Sequence, residues 1–196
     1  MRLICLYITC TLLSCSTTRI GDFKKIKDYS RQELIDKIIP DREYDYWEYR
    51  LKGYQEDVLV RNFGDGTQKH KMIDTAPETG FFFECEPGIC YSYISYIIGQ
   101  ERGQITNEDE LVHFLGDIDN LEEAILLSKI NGLWFDKTIE IGGSYRVRKN
   151  GYELNMMKWV RCPETKESFK VTIEKSGYYT ATSRGVYYES GNCYSH

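Results

Sequence analysis

Three histidines and several groups of acids are the residues of this chain that could do acid–base chemistry. His70 lies between two lysines, His113 lies in a segment with helical periodicity, and His196 is the last residue. Nucleophilic catalysis needs a base beside the nucleophile and a third group that orients the base. The sequence contains no GxSxG motif and no other complete set of this kind. We therefore name no catalytic residue. A hydrolase would require His70 or His113 to meet an acid in a pocket of the fold.

The acids themselves suggest two other kinds of site. One group surrounds the start of a predicted helix and consists of Asp117, Asp119, Glu122 and Glu123. It lacks the glycine and the distal glutamate of an EF-hand calcium loop, and helix capping already accounts for it. Glu84 and Glu86 flank Cys85, but paired carboxylates hydrolyse glycosides only at particular separations. The sequence therefore predicts no metal site and no cofactor.

Aromatic residues are the least ordinary feature of the composition. The chain contains 16 tyrosines, and tyrosine can bury its ring at a surface while its hydroxyl stays in water. The candidate binding residues lie in two strand regions: Tyr44, Tyr46, Trp47, Tyr49, Tyr178 and Tyr187. Alternate residues of a strand face opposite sides, so half of these could face solvent and bind a protein partner or a glycan. Core packing is the competing explanation.

The charge balance excludes one class of partner. The net charge is −5, whereas nucleic-acid binding selects clustered lysine and arginine, so we predict no nucleic-acid partner. It also argues against broad contact with anionic lipid headgroups. Five basic residues could form a stripe on the outer face of a sheet: Arg146, Arg148, Lys149, Lys158 and Arg161. An ordinary charged solvent face is the alternative, because Glu153 neutralises part of the stripe.

The first fifteen residues form a distinct unit. Arg2 precedes an apolar run from Leu3 to Leu13, which is shorter than the roughly 20 apolar residues of a membrane-spanning helix. Leu12 to Cys15 closes the run and resembles the lipobox of bacterial lipoproteins. An ordinary signal peptide with a chance cysteine at its boundary is the alternative.

The resemblance implies a location for the protein. Residues 1–14 would be a signal peptide that is removed, Cys15 would carry the lipid, and residues 15–28 would be the tether. The protein would then be anchored to a membrane of the bacterial cell envelope and face the periplasm or the cell surface. Several acyl chains hold a protein durably at a bilayer.

The same resemblance divides the seven cysteines. Cys5 and Cys10 would leave with the signal, and Cys15 would be lipidated. The four that remain are Cys85, Cys90, Cys162 and Cys193. An even number in an exported protein suggests two disulfides. A proline-glycine turn between Cys85 and Cys90 favours that pair and leaves Cys162 for Cys193. A zinc site is the competing possibility, but no CxxC pair is present.

Local signals predict three short helices. Ser30, Asn107 and Asn120 each precede a glutamate by three positions, which is the spacing of a capping box. The first helix would end at Pro40, the second at Gly116 and the third at Gly132.

Strand signals fill most of the remaining chain. We predict strands from Tyr44, over Val58–Val60, over Lys69–Ile73 and over Tyr91–Ile98. A four-strand meander follows. Its first hairpin turns at Asn150 and Gly151, which should place Val147 opposite Leu154 on the core face and Arg148 opposite Glu153 on the other face.

Together these signals predict an α+β fold with an antiparallel sheet of hairpins and a meander, three short helices and a single compact domain over residues 29–196. We predict a non-enzymatic, envelope-anchored lipoprotein that binds a protein partner or a glycan. An envelope hydrolase that uses carboxylates or histidines is the first alternative, and a structural or inhibitory lipoprotein is the second.

Overall fold

The computed structural model describes residues 23–54, 56–83 and 90–193. The predictions for the lipobox and Cys15, for Glu84, Cys85 and Glu86, for the proline-glycine turn and for His196 lie outside these residues. The α-helices are α1 (Arg31–Ile35), α2 (Glu108–Leu115) and α3 (Leu121–Ile130), and two 3₁₀ helices span Gly66–Lys71 and Glu140–Gly142. The strands are β1 (Lys24–Lys25), β2 (Tyr46–Lys52), β3 (Asp57–Gly64), β4 (Tyr91–Ile98), β5 (Glu101–Ile105), β6 (Ser144–Arg148), β7 (Gly151–Arg161), β8 (Glu164–Glu174) and β9 (Tyr179–Glu189).

The strands form two antiparallel sheets. The larger sheet has the order β1-β6-β7-β8-β9, and the smaller has the order β3-β2-β4-β5. The α+β class, the antiparallel pairing and the C-terminal meander are therefore confirmed. The structure adds that the strands divide between two sheets, and that β1 pairs with β6 at an edge of the larger one.

The three helices begin at the predicted caps. The Ser30 side chain accepts a hydrogen bond from the Glu33 amide, and Glu33 accepts one from the Ser30 amide in return. Asn120 and Glu123 form the same reciprocal pair, and Asn107 accepts from the Glu110 amide. Helix α1 ends at Ile35, earlier than predicted, and turn-type bonds from the amides of Lys37 and Ile38 to the carbonyl oxygens of Leu34 and Ile35 follow it.

One buried cluster joins the helices to both sheets. The larger sheet contributes Leu154, Met156, Val171 and Ile173, and the smaller contributes Trp47, Tyr49, Ile94 and Ile105. Buried side chains from all three helices complete the cluster. Helix α1 contacts β3 and helix α3 contacts β7, so the helices pack against both sheets.

The hairpin between β6 and β7 differs from the prediction by its register. Arg148 pairs with Gly151, so Lys149 and Asn150 are the two turn residues. Gly151 has a φ of +127°, and a Cβ there would lie 2.0 Å from the carbonyl oxygen of Ile173 in β8. The glycine is thus required by the close approach of a neighbouring strand rather than by the centre of the turn.

The shifted register changes the cross-strand partners but keeps each residue on its predicted face. Leu154 pairs with Tyr145 and is buried, whereas Val147 pairs with Tyr152 and is 68% exposed. The predicted core position of Val147 is wrong, because the turn end of the hairpin extends beyond the helices. Arg148 contacts Glu153 as predicted, although Arg146 is the directly paired residue.

The predicted strand over Lys69–Ile73 is also wrong. Gly66–Lys71 forms a 3₁₀ helix instead, and the Asp65 carboxylate accepts hydrogen bonds from the amide and the hydroxyl of Thr67 at its start. This cap competes with strand pairing, since an aspartate can satisfy the backbone two residues on. The helix brings Lys69 to the outer face of the smaller sheet, where its amine lies 3.3 Å from the Glu48 carboxylate.

Candidate functional site

The aromatic residues of β2 belong to the interior of the protein. Tyr46, Trp47 and Tyr49 are all buried. Trp47 and Tyr49 pack into the main core on one face of β2, whereas Tyr46 on the other face packs against Met72 and Ile97, so both faces are covered. The structure therefore favours core packing for these three residues. Tyr44 precedes the strand and is half-buried at the wall of a cleft described below.

The two candidates at the C-terminal end have different environments. Tyr178 lies before β9 and is 62% exposed. The hydroxyl of Tyr187 donates a hydrogen bond of 2.8 Å to Asp136, whose carboxylate also accepts one of 3.0 Å from the amine of Lys166. Burial raises the pKa of Asp136, but hydrogen bonds from Thr138, Lys166 and Tyr187 outweigh it and hold the pKa well below its usual range. Tyr187 thus fastens the loop that carries Asp136 to the larger sheet.

A different group of aromatic residues surrounds a cavity of about 390 Å³, here called the aromatic cavity. Its lining residues are Arg31, Leu34, Tyr49, Phe82, Leu126, Lys129, Trp134 and Trp159. They come from α1, β2, α3, β7 and two loops. The cavity therefore forms only where the helices and both sheets meet.

Backbone hydrogen bonds hold the aromatic walls in place. Trp134 and Met157 exchange N–H···O bonds of 2.8 and 2.6 Å, which fix Trp134 at the edge of the larger sheet. Phe81 makes the equivalent exchange with Ser92 in β4, and Phe82 follows with a φ of +55°. Positive φ is uncommon for a phenylalanine. The rings of Phe81 and Phe82 pack edge to face, with centroids 5.2 Å apart and an interplanar angle of 88°.

Lys129 supplies an amine to this aromatic surface. Its Nζ lies 4.2 Å from the centroid of the Phe82 ring and 5.0 Å from that of Trp134. Both distances are within the range of cation–π attraction. Burial and, as the smaller cause, the charge of Arg31 together lower the pKa of Lys129 to about 7. The amine therefore gains and loses its proton near neutral pH.

The cavity combines rigid aromatic walls with two basic side chains. Such an arrangement binds an apolar or aromatic group, and a neighbouring acidic group would meet Arg31 or Lys129. Sequence reasoning missed Phe82, Lys129, Trp134 and Trp159. The one sequence signal for this site was Lys129, a lysine among the apolar residues of α3. Phe82, Trp134 and Trp159 lie too far apart along the chain for their spacing to indicate a common site.

A second concavity of about 220 Å³ contains one of the candidate histidines. His113 lines it together with Asp41, Tyr44 and Glu110. The Nδ1 of His113 lies 2.7 Å from the carbonyl oxygen of Asp109 in the preceding turn. Burial raises the pKa of Tyr44 to about 12, so its hydroxyl keeps its proton.

The acids of this cleft already have structural partners. Glu110 accepts a hydrogen bond of 2.7 Å from the Thr106 amide, and Asp41 accepts one of 3.0 Å from the Tyr44 hydroxyl. Within the part of the chain that the structure describes, His113 makes no hydrogen bond or ion pair with either acid. His70 lies apart from this cleft in the first 3₁₀ helix and is exposed, with Nδ1 at 2.7 Å from the Thr67 oxygen.

Several further expectations concern cysteines, metals and the membrane. The predicted disulfide Cys162–Cys193 is present, and Cys90 is buried, while its predicted partner Cys85 lies outside the described residues. Among residues 23–54, 56–83 and 90–193, no group of three or more histidine, cysteine or acidic side chains is arranged to hold a metal ion. In the same ranges, no helix has the length and apolarity to cross a membrane.

Comparison with known proteins adds no assignment. No protein-family model matches the chain, and neither the curated proteins nor the solved structures yield a match.

Proposed function

We propose that this protein is an envelope-anchored bacterial lipoprotein that binds a protein partner through the aromatic cavity. The observation that carries the proposal is the meeting of Tyr49, Phe82, Trp134 and Trp159 around one apolar cavity. Its volume of about 390 Å³ lies within the usual range of ligand pockets, which is roughly 300–1,000 Å³.

A protein partner fits the chemistry of the cavity better than a glycan does. Buried aromatic and aliphatic anchors that fill such pockets provide most of the binding energy at protein interfaces. The charged side chains that line this cavity are the basic Arg31 and Lys129, and its neutral polar groups are the buried hydroxyl of Tyr49 and the indole N–H groups of Trp134 and Trp159, the latter donating to Glu164. A sugar needs several neutral donors and acceptors around its hydroxyls, whereas an apolar anchor beside an acidic residue needs only the walls and cations found here.

The envelope location has two supports of different kinds. The lipobox resemblance at Leu12 to Cys15 gives the anchor. The disulfide Cys162–Cys193 is consistent with an oxidising compartment outside the cytoplasm, where such bonds persist.

Site-specific photo-cross-linking in living cells tests the proposal. A photoreactive phenylalanine analogue replaces Trp159, which is 37% exposed at the mouth of the cavity. The matched control places the same analogue at Tyr54, which is 86% exposed and does not line the cavity. We expect a discrete protein adduct from position 159 that is absent from position 54 and is identified by mass spectrometry.

A second substitution makes the experiment specific to the cavity. Leu126→Trp would fill the space between the walls, so it should abolish the adduct from position 159 while the urea midpoint stays close to that of the parent. A glycan adduct, or no adduct in a protein that is folded and in the envelope, would refute the protein-binding proposal. The latter result would favour a structural or inhibitory lipoprotein.

A hydrolase centred on His113 is the second candidate function. The observation that favours it is that His113, Glu110 and Asp41 line one cleft. Purified protein is assayed against ester, peptide and glycoside substrates, with His113→Gln as the test variant and His70→Gln as the control. Turnover that His113→Gln abolishes and His70→Gln preserves would establish the hydrolase. An absence of turnover by the parent protein would refute this second candidate function.

A further inference from the structure

One edge of the larger sheet carries a concentration of positive charge, here called the basic face. Its residues are Arg146 and Arg148 in β6 and Lys170 in β8, which share one side of the sheet, Lys149 in the turn, and Lys24 in β1, which pairs with Tyr145 and lies on the other side of the same edge. Lys158 and Arg161, which the sequence placed in the same stripe, lie at the opposite end of β7. The basic face therefore surrounds the turn end of β6 and reaches Lys170 two strands further into the sheet, rather than forming a stripe along it.

A single buried carboxylate lies beneath these cations. Glu153 is 1% exposed, and its oxygens lie 3.0 Å from Arg146, 2.5 Å from Arg148 and 3.2 Å from Lys170. Burial raises the pKa of Glu153, but the hydrogen bonds and charges of Arg146 and Lys170 outweigh it, so the net pKa is lowered and the group stays ionised. Three cations thus share one negative charge, which leaves an excess of positive charge at the surface.

The cations remain accessible despite this sharing. The side chains of Arg148 and Lys170 are 50% and 39% exposed. Lys24 and Lys149 are exposed and form no ion pair with any other described residue. Val147 lies between Arg146 and Arg148 in β6, shares its side of the sheet with Lys24, and is 68% exposed beside the concavity that these residues line. Cations around an exposed apolar residue suit a surface that meets lipid headgroups and the acyl boundary beneath them.

The position of the patch in the chain connects it to the anchor. Lys24 pairs with Tyr145, which places β1 beside the basic face. Eight residues lie between Cys15 and Lys24, so the nine Cα–Cα steps that connect them reach at most about 32 Å. A folded domain of this size has a diameter of roughly 40 Å. A tether shorter than the diameter holds the β1 edge on the membrane side of the protein.

We propose that the basic face docks on anionic lipid headgroups of the membrane that holds Cys15. This inference rests on the proposed lipid anchor and adds an orientation to it. The net charge of −5 argues against broad contact with anionic headgroups. The proposed contact is compatible with this charge because it involves only the basic face. Each lysine or arginine near an anionic surface strengthens attachment about fivefold.

Amine footprinting of the lipidated protein tests the orientation. The native protein is incorporated into vesicles of phosphatidylcholine alone or with about 30 mol % phosphatidylglycerol, which gives a negative surface potential. A water-soluble acetylating reagent then modifies lysines, and mass spectrometry gives the rate at each one. We expect Lys24, Lys149 and Lys170 to react several-fold more slowly on the anionic vesicles. The exposed lysines Lys37 and Lys158 serve as internal controls and should react equally on both.

Added salt and two charge variants test whether the protection is electrostatic. Raising the salt concentration to about 0.5 M should remove the protection, because the Debye length falls below the headgroup spacing. Arg148→Ser should reduce the protection of Lys24 and Lys170, whereas Lys158→Ser should not.

Each failure has a separate meaning. A protein that does not incorporate into either vesicle lacks the lipid anchor, which refutes the anchored part of the proposed function. A protein that incorporates but shows equal rates on both vesicles refutes the orientation alone. Protection by dissolved inorganic phosphate to the same extent as by anionic vesicles would also refute it, because the patch would then bind small anions.

Discussion

Glu48 shows how the smaller sheet holds a buried charge. Its side chain is 1% exposed, and its carboxylate accepts hydrogen bonds of 2.7 Å from the Tyr46 hydroxyl and 2.7 Å from Arg50. Lys69 approaches to 3.3 Å from the first 3₁₀ helix. Burial raises the pKa of Glu48, but these donors and charges outweigh it and the net pKa is lowered. The ionised carboxylate therefore organises the outer face of the sheet.

We predict that Glu48→Gln destabilises the protein by about 2–3 kcal/mol, because it removes the buried charge that Arg50 and Lys69 share and leaves half-buried Arg50 with Asp57 alone. Urea unfolding at pH 7 measures the loss. The exposed Glu43→Gln is the matched control and should change stability by less than about 0.5 kcal/mol. Equal midpoints for the two variants would show that the network contributes nothing.

The same substitution has a defined pH dependence. The folded pKa of Glu48 lies below its ordinary value of 4.5, so its contribution is fully present above pH 4.5 and is lost as the pH falls through the folded pKa. The stability difference between the parent and Glu48→Gln should thus be constant near neutrality and shrink below pH 4.5. A difference that grows in acid would contradict the lowered pKa.

Lys129 gives a prediction of opposite sign. Its folded pKa of about 7 lies below the ordinary value of 10.5, so the cost of burying its charge is fully present below pH 7 and disappears as the pH rises toward 10.5. Lys129→Met should therefore stabilise the protein by about 1–3 kcal/mol at pH 6 and by clearly less at pH 9. Urea melts at both pH values measure this, with the exposed Lys37→Met as a control whose effect should not vary. A pH-independent effect at Lys129 would exclude a perturbed amine.

At the scale of the elements, position within a sheet decides what each strand exposes. Strand β2 is covered by the main core on one face and by Met72 on the other, whereas Val147 near the turn end of β6 is 68% exposed. The same alternating pattern is compatible with either outcome. Burial therefore depends on neighbours that are distant in sequence, and those neighbours are set by tertiary contacts.

Gly151 provides a test at this scale. We predict that Gly151→Ala costs about 3 kcal/mol or more, because its Cβ would lie 2.0 Å from the Ile173 oxygen and its φ is +127°. Gly99→Ala is the matched control, since Gly99 has a φ of +57° but no atom within 4 Å of the new Cβ. It should cost about 1 kcal/mol. Similar urea midpoints for both variants would show that the contact with β8 is not limiting.

Features that depend on residues close together in the chain could be predicted from the sequence, whereas contacts between distant residues could not. The capping residues Ser30, Asn107 and Asn120 start their helices as expected, because each cap is complete within four residues. The register at Gly151 depends on β8, which the sequence does not place. The aromatic cavity depends on Phe82, Lys129 and Trp159, whose meeting requires both sheets and α3. Three candidates that were singled out by residue type line these concavities: Tyr44 and His113 share the cleft, and Tyr49 lines the aromatic cavity.

At the scale of the whole molecule, the two proposed surfaces lie at opposite ends of β7. The basic face surrounds its start at Gly151, and the aromatic cavity includes Trp159 near its end. Seven residues of strand lie between these two positions, which are roughly 27 Å apart. The basic face surrounds the β1–β6 edge, so a lipid contact made there leaves Trp159 outside the contact. The protein would then be anchored through the basic face while its cavity stays open to a partner.

This arrangement depends on the lipid at Cys15, which gives the final prediction. We expect the mature protein to begin at an acylated Cys15, so that only detergent releases it from envelope membranes. Cys15→Ala should make it extractable by alkaline carbonate, because the apolar run from Leu3 to Leu13 is shorter than the roughly 20 residues that a spanning helix needs. Cys10→Ala changes a cysteine inside the same run and should leave both the acyl mass and the fractionation unchanged. Mass spectrometry of the N-terminal peptide and fractionation decide the matter together. An N-terminus without lipid, or a Cys15→Ala variant that still resists carbonate, would show that Leu12 to Cys15 does not act as a lipobox.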